Sequence, residues 1–375
     1  MSQMDTPPAS AREIARARMA NLGLTSAPAA SLEDVVGALG ALQAQEYAFA
    51  KWSVAQRTAG ATEDAVQRAV AEGRILRTHL LRPTWHFVLP ADIRWILALT
   101  GPRIQASSAY RYGQLALDDA QRARSAEAIA EALAGGRHLT RKELGAVLEE
   151  AGISTEGQRL PHILMHAELE GVICSGAPRG KRQTYALLAE RAPDAQTLSR
   201  EEALAALTRR YLATRGPATA LDYRAWSSLL AADARAGLAL LGDEAASFDL
   251  DGRTHWWMPG AASPPAPPPP APDAPAAHLL QTFDEFFSGY RESKDVADVD
   301  GWLRAVGGEI GYYHAVVIDG QLVGRWRRKV RARDVQVDIS PLRPLDPAEE
   351  EAVDAAVARY GEFLGLQADW RVTDE

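Results

Sequence analysis

Residues 139–190 carry a succession of local signals that few folds can accommodate. Thr140 can N-cap a helix over 141–150, Gly152 stops it, and a second helix is expected from about 158 to 170, closed by Gly171. Val172, Ile173 and Cys174 then read as a strand, 177–182 as a turn rich in Gly, Pro and basic residues, and 185–188 as the returning strand. Helix, turn, helix and a two-stranded wing is the order of a winged helix.

The same order recurs on either side. Ser31 and Asp34 make a capping-box-like start to a helix through Leu42, and a further helix is expected over 62–72. Strands over 75–80 and 84–89 follow, joined through Leu81, Arg82 and Pro83, with Pro90 suited to N1 of the next helix. A third pass begins near Arg200, with helices to 211 and over 217–230 and short strands near 247–250 and 254–258. Between Ser263 and Pro275 the chain is almost wholly Pro and Ala, which favours an extended linker that joins no core. Beyond it, strands over 314–318 and 322–330 flank the turn signal Asp319-Gly320, and Asp346 can N-cap a closing helix over 347–364.

The expected class is therefore α+β: about three tandem winged-helix units (1–115, 116–197 and 198–262), a linker at 263–277, and a mainly β unit over 278–375 built around a hairpin. The 375 residues, 47% hydrophobic and 24% charged, are ordinary for globular protein and can bury one large core or several small ones. Cys174 stands alone, which excludes an intramolecular disulfide and a Cys-x-x-Cys metal site and fits a reducing compartment. No apolar run suits a signal peptide or a membrane span, so a cytoplasmic location is expected. A net charge of −8 argues against coating DNA by bulk electrostatics and puts weight on local basic faces.

Two such faces stand out. On a strand, Arg325, Arg327, Lys329, Arg331 and Arg333 alternate onto one side, forming a basic rail or else a charged, aggregation-proof edge. Arg179, Lys181 and Arg182 crowd a wing tip, where they would position DNA rather than read it, unless they only keep a turn soluble. Gln43 and Gln45 fall at the expected frayed end of the helix from Ser31; once the helix opens, both amides point the same way and can hold a water from two sides. Alone, the pair also fits two solvent-facing glutamines. Thr84 and His86 share one strand face opposite Trp85, as DNA contacts or as satisfied interior groups. Asp284 and Glu285, with Arg291 six residues on, read as a structural ion pair between units. No phosphate-binding Gly-rich loop, His-Glu-x-x-His or Gly-x-Ser-x-Gly occurs, which removes most nucleotide-cofactor and hydrolase readings.

Several separated segments, in order, resemble the winged-helix DNA glycosylase family that includes AlkZ and YcaQ. They are Leu42-Gln43-Ala44-Gln45, Leu81 to Val88, Arg215-Gly216-Pro217-Ala218-Thr219, Phe283 to Arg291, and Val317 to Gly324. The resemblance runs over nearly the full length and implies tandem winged helices packed on a C-terminal β unit around a positively lined channel for duplex DNA. It implies that Gln43 and Gln45 are catalytic, that the hairpin around Asp319 and Gly320 meets DNA at the lesion, and that His314 is a DNA or lesion contact. Together with the basic faces and the hairpin residues above, the expected DNA-contact set is Arg82, Thr84, His86, Arg179, Lys181, Arg182, His314, Arg325, Arg327, Lys329 and Arg331.

A cationic alkylated purine leaves as a neutral base, so hydrolysis needs a placed water and a stabilised oxocarbenium-like sugar more than a strong general acid. Two neutral amides suit that task. The expected partner is duplex DNA containing alkylated bases, including bulky or crosslinking adducts, acted on by a monomer without metal or organic cofactor. The rival readings are a transcription regulator using the helix near 158–170 as its reader, and a protein that sequesters damaged DNA or a genotoxin.

Overall fold

The computed structural model describes residues 7–259, 275–309 and 313–373. Helix α1 (Ala11–Asn21) precedes a first unit of α2 (Leu32–Leu39), β1 (Leu42–Gln43), α3 (Tyr47–Ala55), α4 (Glu63–Glu72), β2 (Leu76–Leu80) and β3 (Thr84–Val88). A second comprises α5 (Ile93–Gln114), α6 (Asp119–Leu133), β4 (Leu139–Thr140), α7 (Arg141–Glu150), α8 (Arg159–Leu169), β5 (Ile173–Ser175), β6 (Thr184–Leu187) and α9 (Leu188–Arg191). A third comprises α10 (Arg200–Arg215), β7 (Ala218–Thr219), α11 (Ala220–Ser227), α12 (Ala231–Leu241), β8 (Ala246–Leu250) and β9 (Arg253–Trp257). Each of the three contains the run helix, two-residue strand, two helices, hairpin, to which the second adds α5 before and α9 after. In each the short strand pairs with the last one, giving the orders β1-β3-β2, β4-β6-β5 and β7-β9-β8.

The last unit is β10 (Ala277–Leu280), α13 (Glu285–Ser288), α14 (Trp302–Ala305), β11 (Ala315–Ile318), β12 (Gln321–Val330), β13 (Asp334–Pro341), α15 (Pro347–Leu364) and β14 (Gln367–Val372). Its strands form one sheet in the order β10-β11-β12-β13-β14, antiparallel except for the parallel β13–β14 pair that α15 connects. Asp346 closes a capping box with Glu349 at the head of α15, and Thr140 does the same with Glu143 at α7.

Several expected boundaries move. Helix α2 ends at Leu39, because Gly40 turns the chain at φ 70° and releases Leu42–Gln43 to pair with β3. The helix after the first hairpin starts at Ile93 rather than Pro90. In the third unit Ala218–Thr219 are strand and Ser228 is left-handed, so the helix expected over 217–230 shortens to α11. The proline-rich linker lies mostly outside the described residues, but Ala277 is not part of it: it opens β10 and is 1% exposed. Helix α3 carries no clean amphipathic period because Ala50 through Ala55 are all buried.

Two cores result. One joins the chain's ends: Ile14 of α1 and Val36, Trp52 and Val70 of the first unit pack with Val316, Trp326, Ile339 and Tyr360 of the last. The other joins α5, α8, α10 and α11 through Trp95, Leu164, Leu207 and Trp226. The acidic pair does link units, but through cations other than Arg291: Asp284 pairs with Arg57 and Glu285 with Arg215, each N···O contact at 2.7 Å and each side chain at most 1% exposed. Arg291 instead gives its backbone N–H to Asp222.

Candidate active site and nucleic-acid interface

Strand β1 places the two glutamines. Leu42 and Gln43 sit opposite Phe87 and His86, and the extended path continues as Ala44 N–H donates to the Trp85 carbonyl at 2.7 Å. Alternation then turns Leu42 and Ala44 into the core and sends Gln43 and Gln45 the other way. Gln43 thus lies on β1 and Gln45 just past its end, so neither stands on the fraying helix end expected there.

Their hydrogen bonding is unequal. Gln45 Oε1 accepts the Trp85 backbone N–H at 3.3 Å, which leaves the Gln45 amide nitrogen as a donor. Gln43 is 5% exposed, and its Oε1 is buried with no partner among the described residues. Its backbone is held on both sides: Gln43 N–H donates to Glu285 Oε1 at 2.9 Å, and Gln281 Nε2 donates to Gln43 O at 3.3 Å. Burial would raise the Glu285 pKa, but Arg215 and Arg82 beside it hold its carboxyl below the usual range, so it is a carboxylate. Other buried, unpartnered polar atoms gather on the same elements: Gln281 Oε1, Thr84 Oγ1, His86 Nε2, Ser288 Oγ, and Nε and Nη2 of Arg82. A polar interior left this open is characteristic of a site that completes its bonding with water or substrate.

The hairpin trio therefore does not present itself to a DNA backbone. His86 is fully buried, and burial and the Arg82 charge push its pKa well down, so it is neutral. Arg82 turns inward and donates to Ser288 O at 2.8 Å, and the Thr84 hydroxyl is buried too. All three wall the site beside β1. Trp85 between them is sandwiched by Arg77 at 4.5 Å and His79 at 4.3 Å, and its Nε1 donates to buried Glu168 of α8 at 3.3 Å.

His314 lies nearer the glutamines than its place in the sequence suggested. It stacks on Phe49 at 4.0 Å, accepts Thr282 N–H at 3.1 Å and sets Nε2 3.5 Å from Glu46, the residue after Gln45. Burial and Arg328 bring its pKa down to about 4, so it is neutral at pH 7. Burial raises that of Glu46, against the pull of Arg328.

Strand β12 keeps the expected alternation only as far as its end at Val330: Trp326 points into the core with its Nε1 on Leu280 O at 2.9 Å, while Arg327 and Lys329 are exposed. Arg331 and Arg333 fall outside the expected strand rail and lie exposed in the turn beyond it. Arg325, at the buried end, stacks over Tyr313 at 3.9 Å, and Arg331 pairs with Asp334 at 2.6 Å. The protruding tip is thus the β12–β13 turn. The β11–β12 turn is docked: Asp319 pairs with Arg16 of α1, and a Cβ on Gly320 would stand 2.9 Å from that of Ala15. On the wing of the second unit, Lys181 and Arg182 are exposed, and Arg179 pairs with Glu143. Helix α8, the reader of the regulator hypothesis, has Ile163, Leu164, Met165, Ala167, Glu168 and Leu169 buried.

Sequence reasoning passed over Glu285 and Gln281 as supports of Gln43, and Trp85 and Glu168 as neighbours. For Glu285 the available signal was the segment 283–291, whose acidic pair reads from sequence as a structural ion pair.

A family model described as DNA glycosylase AlkZ-like matches residues 36–363. The chain belongs to the AlkZ-like DNA glycosylase family. The match spans both glutamines, the hairpin trio and the whole of β12. A curated relative, the interstrand DNA cross-link repair glycosylase of Streptomyces sahachiroi, is 28% identical over 96% of this chain and 97% of its own. The solved structure of the Streptomyces sahachiroi DNA glycosylase AlkZ superposes with a TM-score of 0.76 at 25% identity, covering 98% of this chain and 100% of that one. Among the described residues no helix is long and apolar enough to cross a membrane, and no three His, Cys, Asp or Glu gather in a metal-binding group.

Proposed function

We propose that this AlkZ-like enzyme hydrolyses the N-glycosidic bond of cationic alkylated purines in duplex DNA, with its water held between Gln43 and Gln45. The observation that carries the reading is the complementary state of the two amides: Gln43 offers a buried acceptor without a partner, and Gln45, its oxygen engaged by Trp85, offers a donor. A water accepting from Gln45 and donating to Gln43 has a lone pair left to aim at C1′. The bond from C1′ to the purine breaks with its electrons going to the base, which neutralises the cationic ring. The water oxygen then bonds to C1′, and its proton passes to solvent, leaving an abasic sugar. Neutral amides are weak bases, which restricts the enzyme to labile lesions such as N7-alkylguanine and N3-alkyladenine.

The name of the Streptomyces relative supports extending the substrate class to bulky adducts and interstrand crosslinks. The thrice-repeated element order supports a tandem winged-helix scaffold, with Lys181, Arg182 and the β12–β13 tip as phosphate contacts and His314 beside the lesion.

Single-turnover release of N7-methylguanine from duplex DNA tests this. Gln43→Ala and Gln45→Ala should each slow release by about 10²–10³ while DNA binding persists, the loss expected for one transition-state hydrogen bond. Binding by the wild type without release of this base or of a bulky N7-guanine adduct would refute the enzyme reading.

A further inference from the structure

Between the second and third units lies a cavity of about 260 Å³ that none of the foregoing uses. Arg103 and Ser107 of α5, Arg224 of α11, Ser228, Arg291 and the hairpin residue Pro83 line it. The three arginines are exposed, and among the described residues none has a carboxylate in ion-pair distance. Elsewhere Arg74, Arg200, Arg209, Arg210, Arg253 and Arg343 each pair with Asp or Glu. Three guanidinium groups from separate elements facing one cavity repel one another, a cost that an anion between them removes. With two hydroxyls alongside and no acidic residue in the lining, the chemistry selected is a phosphate oxygen cluster.

The position says which phosphate. Pro83 precedes Trp85 by two residues, about 7 Å of strand, and the Trp85 N–H is the group bonded to Gln45 Oε1. The cavity is therefore within one or two nucleotide steps of the paired amides. We infer that this cavity grips a backbone phosphate flanking the target nucleotide, which fixes the sugar against the Gln43–Gln45 water. The inference rests on the glycosylase reading above.

The test uses the full chain and duplexes carrying one N7-methylguanine, with single neutral methylphosphonates placed in turn at the flanking positions. The wild type should lose affinity at one flanking position. The triple variant Arg103→Gln, Arg224→Gln, Arg291→Gln, matched to the wild type in thermal melting, should lose nothing further there. Its log affinity should fall less steeply with log salt, by about 1 in slope. An unchanged slope and undiminished methylphosphonate sensitivity in the variant would overturn the assignment while leaving the glycosylase reading intact. Thermal protection by inorganic phosphate that the variant loses, with DNA binding unaltered, would make this a free-anion pocket and overturn it too. A wild type that neither binds nor cleaves these duplexes refutes both readings together.

Discussion

Glu285 Oε1 accepts the backbone N–H of Gln43 at 2.9 Å, across 242 positions of sequence. The other oxygen of the same carboxylate takes Nε and Nη2 of Arg215 at 3.0 and 2.7 Å and Trp226 Nε1 at 3.1 Å. One buried anion thus ties the last unit to the third and fixes the register of β1, on which the direction of the Gln43 amide depends.

Glu285→Gln keeps the shape and one acceptor but leaves the Arg215 charge buried and unpaired. It should lower unfolding free energy by about 3–5 kcal/mol, read from urea midpoints. Glu285→Ala also orphans the Gln43 N–H. Its molecules that remain folded should release base more slowly than those of Glu285→Gln, and equal rates would show that Glu285 does not position Gln43.

The docked β11–β12 turn makes Gly320 a stability position. At φ +73° and with Ala15 2.9 Å from a would-be Cβ, Gly320→Ala is both strained and crowded. It should cost roughly 2–4 kcal/mol by thermal or urea unfolding. The salt dependence of DNA binding should stay as in the wild type, because this turn faces α1; a loss of affinity without a loss of stability would restore the turn to the DNA interface.

The exposed β12–β13 tip should behave in the opposite way. Lys329→Ala and Arg333→Ala touch no core contact and should alter stability by less than about 0.5 kcal/mol. Each should weaken binding across all sequences and reduce the salt slope by about 1. Unaltered slopes would assign β12 the role of a charged, protected strand.

His314 sets an acid limit. Its folded pKa of about 4 lies below the value of roughly 6.5 it has in an unfolded chain. Above pH 6.5 the ring is neutral in both states and costs nothing. As pH falls from there toward 4 the unfolded chain takes the proton first, so stability drops by up to roughly 3 kcal/mol. His314→Asn should flatten that part of the stability profile relative to the wild type, measured by urea unfolding at stepped pH; a parallel profile would assign the acid sensitivity to other groups, such as His278 of β10, whose pKa burial brings down to about 3.

Much of the local architecture was legible before any tertiary contact was known. The capping boxes at Ser31, Thr140 and Asp346 and the Asp319-Gly320 turn are written in neighbouring residues, because a cap or a tight turn is settled by hydrogen bonds and sterics within a few positions. The period-two placement of Trp326 against Arg327 follows from strand geometry in the same way. Helix α3 was not legible, since a helix buried around most of its surface has no polar stripe to betray it.

Gln43 and Gln45 stand out in the sequence as candidates, through residue chemistry together with a family resemblance, but their setting does not. Sequence alone determined that two amides would share a side wherever the chain ran extended, and that basic side chains would line one face of β12. Only the tertiary structure decided that Gln43 is backed by Glu285, that Arg82 and His86 turn inward, that the Asp319 turn docks on Arg16, and that the chain's two ends share a core. Those contacts join residues more than 200 positions apart, and at that range local preference says nothing. Burial chooses the partners, because a charge or amide taken from water must find its complement wherever the packed surfaces bring one.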